Sequence, residues 1–139
     1  MMTADISVSA RATTMSSDDI KSDMNGERQA PMQVIVDLCV VPLGVGVSVS
    51  EYVAACQRVI EASGLGYRMH AYGTNIEGPW DAVMAVVKAC HERVHAMGAP
   101  RITTTLKLGT RTDREQSMDD KVASVETRLR ASDPSASKA

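Results

Sequence analysis

Gly73-Thr74-Asn75-Ile76-Glu77-Gly78-Pro79-Trp80-Asp81 compresses the end of a hairpin and the start of a helix into nine residues. Its glycines let the backbone turn tightly and let another group come close. Pro79 suits the first helical position, where a missing N–H costs nothing. Asp81 falls in the first turn, where the helix dipole favours negative charge. Glu77 stands just outside that helix with no evident task in the fold, which makes it a candidate for meeting a ligand.

Working outward from this stretch, Tyr67 to Tyr72 (YRMHAY) alternates as a short strand. Gly73-Thr74 reads as its turn and Thr74 to Glu77 as the return strand. The spacing predicts a helix from Pro79 to Met97, with Trp80, Val83, Met84, Val87, Cys90, His91 and Val94 on one face and Gly98 as the stop. Arg101 to Leu108 alternates, Ile102, Thr104, Leu106 and Leu108 pointing one way and Arg101, Thr103, Thr105 and Lys107 the other. Upstream, Met32 to Val41 is a nearly continuous apolar run, as expected of a central strand. Ser48 and Glu51 have capping-box spacing for a helix from about Val49 to Ser63, with Gly64 behind it. Downstream, Met118 to Ala131 predicts a third helix with a narrow apolar stripe at 118, 122, 125 and 129.

The order is β-α-β-β-α-β followed by a helix. It implies an α+β, ferredoxin-like sandwich: a four-stranded antiparallel sheet, two helices on one face, and an added C-terminal helix. The other face is left open, carrying Thr103, Thr105 and Lys107. In so small a chain, such a face is normally covered, often by another subunit.

Residues 1–30 are rich in Ser, Thr, Asp and Met without sustained apolar periodicity and read as a disordered N-terminal extension; 133–139 read as a disordered tail. Residues 31–132 are left as one domain with one modest core. Phe is absent and Trp occurs once, so that core is aliphatic. A net charge of −2 argues against a nucleic-acid binder working through a basic surface. No apolar run approaches the ~18 residues of a membrane span. Three well-separated cysteines without a CxxC pair suit reduced thiols in a cytoplasmic protein.

These residues closely resemble the thiamine-binding proteins of uncharacterised family 45, a ferredoxin-like group from archaea, bacteria and yeast. The resemblance runs from Val36 to about Val125. It is carried by Val41-Pro42-Leu43-Gly44, Ser48-Val49-Ser50-Glu51-Tyr52-Val53, the Gly73–Asp81 stretch, Cys90-His91-Glu92, and Leu106-Lys107-Leu108-Gly109-Thr110-Arg111-Thr112-Asp113. It implies a homo-oligomer, dimers that pair into tetramers, and non-catalytic binding of thiamine or its hydroxymethylpyrimidine half. Thiamine offers an aminopyrimidine edge and a cationic thiazolium. Glu77 can accept a charge-assisted bond from the amine or a protonated ring nitrogen. Thr74 and Asn75 can orient the ring. Gly78 permits close approach, Trp80 or Tyr72 can cover a ring face and attract the cation, and Lys107 completes the candidate set. The competing reading makes Glu77 a partner of the helix dipole and Thr74 a turn residue.

His91-Glu92-Arg93-Val94-His95 matches H-E-x-x-H, with Glu115 as a distant third ligand. A zinc hydrolase is nonetheless disfavoured. His91 lies within the apolar stripe, the helix stops at Gly98, and Glu115 lies beyond a whole strand. Ser48 reads as a helix cap rather than a nucleophile, Cys39 as packing, and Arg111, Asp113 and Arg114 as a mixed-charge loop able to hold an anion at an interface. The remaining alternative is an oligomeric interaction protein with no small-molecule ligand.

Overall fold

The computed structural model describes residues 31–132 and 135; the expected N-terminal extension and nearly all of the expected tail lie outside the described residues. Four strands, β1 (Gln33–Leu43), β2 (Gly66–His70), β3 (Gly73–Pro79) and β4 (Arg101–Gly109), form one antiparallel sheet in the order β2-β3-β1-β4. Helix α1 (Ser50–Ala62) joins β1 to β2, α2 (Trp80–Ala96) joins β3 to β4, and α3 (Met118–Ala131) follows the sheet. This is the ferredoxin-like arrangement, with the first strand central and flanked by the third and fourth.

Alternation along β1 decides where the core lies. Val34, Val36 and Leu38 turn toward α1 and α2 and are buried. They meet Ile76 of β3, Cys56 and Ile60 of α1, and Val83, Val86, Cys90 and Val94 of α2. Ile102, Leu106 and Leu108 of β4 close the far edge. The intervening β1 residues, Ile35, Asp37, Cys39 and Val41, face the other way, in register with Gly109, Lys107, Thr105 and Thr103. The open face inferred from the alternation of β4 is thus present.

Several local expectations are corrected. The β2–β3 turn is Ala71-Tyr72, not Gly73-Thr74, because His70 pairs with Gly73 and Met69 with Thr74. Gly73 is needed for another reason: a Cβ there would lie 2.6 Å from the Leu38 carbonyl oxygen, across the β1–β3 ladder. The N-cap of α1 is Val49, and the capping box expected of Ser48 and Glu51 does not form; the Ser48 hydroxyl lies 3.4 Å from that of Ser50 instead. The buried stripe of α2 includes Val86, whereas Trp80 sits on the rim at 37% exposure.

Helix α3 does not pack along its own domain. None of its residues is buried, and Val122, Val125 and Leu129 remain exposed. Its amino end is well made all the same. The Ser117 hydroxyl accepts from the Asp120 N–H while the Asp120 carboxylate accepts from the Ser117 N–H, a complete capping box.

Gly73→Ala is expected to destabilise the domain by about 1–3 kcal/mol, the usual penalty for forcing a group into packed structure. Urea denaturation of the variant beside wild type measures this; an unchanged midpoint would show that the β1–β3 contact can relax.

Candidate functional site

Strand β3 carries most of the candidate residues, and its pleat deals them to opposite faces. Thr74 and Ile76 point toward the helices; Asn75 and Glu77 point to the open face, opposite Asp37 and Ile35. Lys107 shares that open face, in register with Asp37. Thr74 and Glu77 therefore cannot contact the same ring within one subunit. The expected set separates into three places: Thr74 and Tyr72 beside α1, Asn75, Glu77 and Lys107 on the open face of the sheet, and Gly78 and Trp80 at the β3–α2 junction.

On the helix side, the end of β1, the β2–β3 hairpin and α1 enclose a cavity of about 220 Å³. Val53, Cys56, Gln57 and Ile60 of α1, Met69 and Tyr72 of the hairpin, and Thr74 of β3 contribute to its wall. Thr74 is 3% exposed, and its hydroxyl accepts a hydrogen bond from the Gln57 amide, Nε2 to Oγ1 at 2.5 Å. This pair places a polar, partly buried edge in a mostly apolar wall. Tyr72, at the hairpin tip, is 87% exposed and stands at the rim.

Gln57 was not singled out from the sequence, although a signal was there. It falls four residues after Val53 and three before Ile60, so a polar side chain sits on the inward face of an amphipathic helix.

On the open face, Glu77 has a structural employment. Its Oε2 accepts the Met118 N–H at 2.7 Å, one of the donors left unpaired at the start of α3. The carboxylate lies across Gly66 of β2, its nearest oxygen 3.1 Å from where a Cβ would stand. Arg68 of β2 pairs with Asp119 of α3, adding a second tie between sheet and helix. The carboxylate thus does serve a helix end, as the competing reading proposed, but the end is that of α3 rather than of the helix following it in sequence. Asn75 donates from Nδ2 to the Val36 carbonyl at 3.3 Å. His70 accepts the Tyr72 N–H at Nδ1, so its Nε2 carries a hydrogen and donates to Asp37 at 2.6 Å.

Gly78 also answers to packing. Its φ is +155°, and a Cβ would lie 2.9 Å from the Leu65 side chain. Arg111 of the loop is committed too: it binds Asp113 through Nε and Nη2 and reaches Gln116 through Nη1 at 2.7 Å. Hydrogen bonding from Arg111 holds the Asp113 carboxyl down to about 2. A guanidinium held in this fork is poorly placed to take an added anion.

The H-E-x-x-H histidines point to separate partners. The His91 Nε2 meets the Thr104 hydroxyl at 2.6 Å and the His95 Nδ1 meets the Ala99 carbonyl at 2.8 Å, with the rings 6.4 Å apart. Among the described residues no group of three or more His, Cys, Asp or Glu side chains is gathered to hold a metal.

Comparison with known proteins bears directly on these features. Residues 36–126 match the family model for "Thiamine-binding protein". The chain belongs to the thiamine-binding protein family. A UPF0045 protein of Synechocystis is 71% identical over 102 residues, which is 73% of this chain and 84% of that protein. A UPF0045 protein of Eremothecium gossypii is 48% identical over 99 residues, covering 70% and 94% of the two chains. Among solved structures, a Methanocaldococcus jannaschii protein superposes with a TM-score of 0.64 at 29% identity, over 68% of this chain and 97% of its own. One from Thermotoga maritima shares the fold at a TM-score of 0.59 and 22% identity, over 67% and 98%. Family membership agrees with the fold expected from element order. The matched span includes Gly73–Asp81, which contributes Thr74 to the cavity and Glu77 to the root of α3.

Metal analysis after dialysis against zinc is expected to find no stoichiometric metal, and His95→Ala is expected to leave the metal content unchanged. One bound zinc per chain, lost in that variant, would restore the hydrolase reading.

Proposed function

We propose that this family member binds thiamine or its hydroxymethylpyrimidine half, without chemical turnover, in the cavity between α1 and the β2–β3 hairpin. The observation that carries the reading is the Gln57–Thr74 pair in the wall of that cavity. A carboxamide can accept from an exocyclic amine while donating to the adjacent ring nitrogen, the pairing by which such side chains read adenine. An aminopyrimidine presents the same edge. Val53, Ile60 and Met69 supply apolar walls for a ring face.

Size decides how much of the ligand enters. At about 220 Å³ the cavity is smaller than the ~300–1,000 Å³ of most small-molecule sites, so it suits one ring rather than two. The pyrimidine is the neutral, hydrogen-bonding ring and goes inside. The thiazolium remains at the mouth, where Tyr72 offers an aromatic face to the cation. No acidic side chain lines the cavity, and a cation left at the wet rim does not need one. The Thermotoga protein of the same fold is described in connection with thiamine biosynthesis or salvage, and the family description points to the same vitamin.

Self-association in the cytoplasm, as a dimer or tetramer, completes the reading. It is supported by the exposed stripe of Val122, Val125 and Leu129 on α3 and by the bare side of the sheet. Among the described residues no helix is long and apolar enough to cross a membrane.

Isothermal calorimetry with thiamine and with hydroxymethylpyrimidine tests the site. Gln57→Ala is expected to weaken binding about tenfold, the equivalent of one hydrogen bond of ~1.4 kcal/mol. Glu77→Ala is expected to leave affinity unchanged while loosening α3. The reverse pattern would move the site to the open face; absence of binding by wild type would reject the vitamin and favour the interaction protein.

A further inference from the structure

We propose that Cys56 and Cys90 form an oxidisable dithiol, a modification site behind the cavity wall that a small hydroperoxide would convert to an α1–α2 disulfide. The two residues are 34 apart in sequence and meet where the helices pack, with the Cys90 Sγ 3.8 Å from the Cys56 carbonyl oxygen. They differ in access. Cys56 contributes to the wall of the cavity, whereas Cys90 is 0% exposed. A molecule small enough to enter the cavity therefore comes up against the first residue but not the second.

Their chemistry is divided the same way. Hydrogen bonding from the Cys90 thiol holds the Cys56 thiol below the ordinary cysteine range, against the opposing effect of burial. The same hydrogen bond, together with burial, pushes the Cys90 thiol far up. Cys56 is thus the better thiolate former and the accessible one, and the thiolate is the nucleophilic form. Cys90 keeps its proton and waits beside it.

The reaction balances with one hydroperoxide. The Cys56 sulfur attacks the terminal peroxide oxygen, the O–O bond breaks, and the alcohol leaves with the Cys56 proton, giving Cys56 sulfenic acid. The Cys90 thiol, giving up its proton to the departing hydroxyl in the same step, then attacks the Cys56 sulfur. The S–O bond breaks, water leaves carrying the Cys90 proton, and an S–S bond remains. Two thiols are oxidised and the peroxide is reduced to alcohol and water. The product ties α1 to α2 and removes the Cys56 thiol from the cavity wall. Cys39, half-buried on β1, also borders the cavity but belongs to the set of β1 residues that faces away from the helices, and serves as the internal control.

Folded wild type and Cys39→Ser are treated with hydrogen peroxide, then alkylated, digested without reductant and mapped by mass. The expected product in both is a Cys56–Cys90 cross-linked peptide lighter by two hydrogen atoms and restored by reductant. Cys90→Ala is expected to stop at a Cys56 sulfenic acid trapped by dimedone. Recovery of Cys56 and Cys90 as alkylated free thiols, under conditions that oxidise Cys39 in wild type, would overturn the proposal. So would Cys56 advancing to the sulfinic acid in wild type while Cys90 stays free. Neither readout depends on whether thiamine binds.

Discussion

The period of two along β3 is the constraint on which this molecule turns. Seven residues, Gly73–Pro79, supply both the buried Thr74–Gln57 pair and the carboxylate that receives the start of α3. Because neighbouring side chains leave a strand on opposite sides, these two polar groups serve two surfaces that a single small molecule cannot bridge. A slip of register by one residue would put Glu77 into an aliphatic core and Ile76 into water, at the combined cost of an unpaired buried charge and a lost apolar contact. The strand is held against such a slip by its neighbours. Val36 and Leu38 stand opposite Ile76 and Thr74, and the backbone at Gly73 approaches β1 too closely for any side chain.

The fold was legible in the sequence because the signals there are long-range and redundant. An apolar run over β1, the alternation of β4 and the helical spacing of α1 and α2 each point to one element, and their order leaves few topologies. Turn and cap positions were less legible, for particular reasons. Gly73 looks like a turn former, but its glycine is needed by the strand pairing; the turn itself uses Ala71 and Tyr72, which carry no turn signature. Ser48 and Glu51 have the spacing of a capping box, yet helix α1 starts after Val49 and the Ser48 hydroxyl lies near Ser50. Spacing describes what a motif permits; hydrogen-bond geometry decides whether it forms.

The candidate site was legible in its stretch but not in its grouping. The sequence directs attention to Gly73–Asp81, and that stretch does shape the cavity through Thr74. It could not show that Glu77 would be met by a helix start 41 residues further on, because such a contact leaves no local trace. Gln57 was missed for the opposite reason. A single polar residue among apolar helix neighbours is read as noise unless its partner is known, and that partner lies on another element, 17 residues away.

The hydrogen bond between Gln57 and Thr74 bears on how the folded chain fares when its chamber is vacant. Among the described residues no fully buried side-chain nitrogen or oxygen lacks a partner, so an empty chamber leaves no stranded dipole for a guest to rescue. The fold therefore needs no guest to satisfy its own buried side-chain polar groups. A guest that met Gln57 would share it with a contact the protein already makes with itself, using the second amide hydrogen and the amide oxygen.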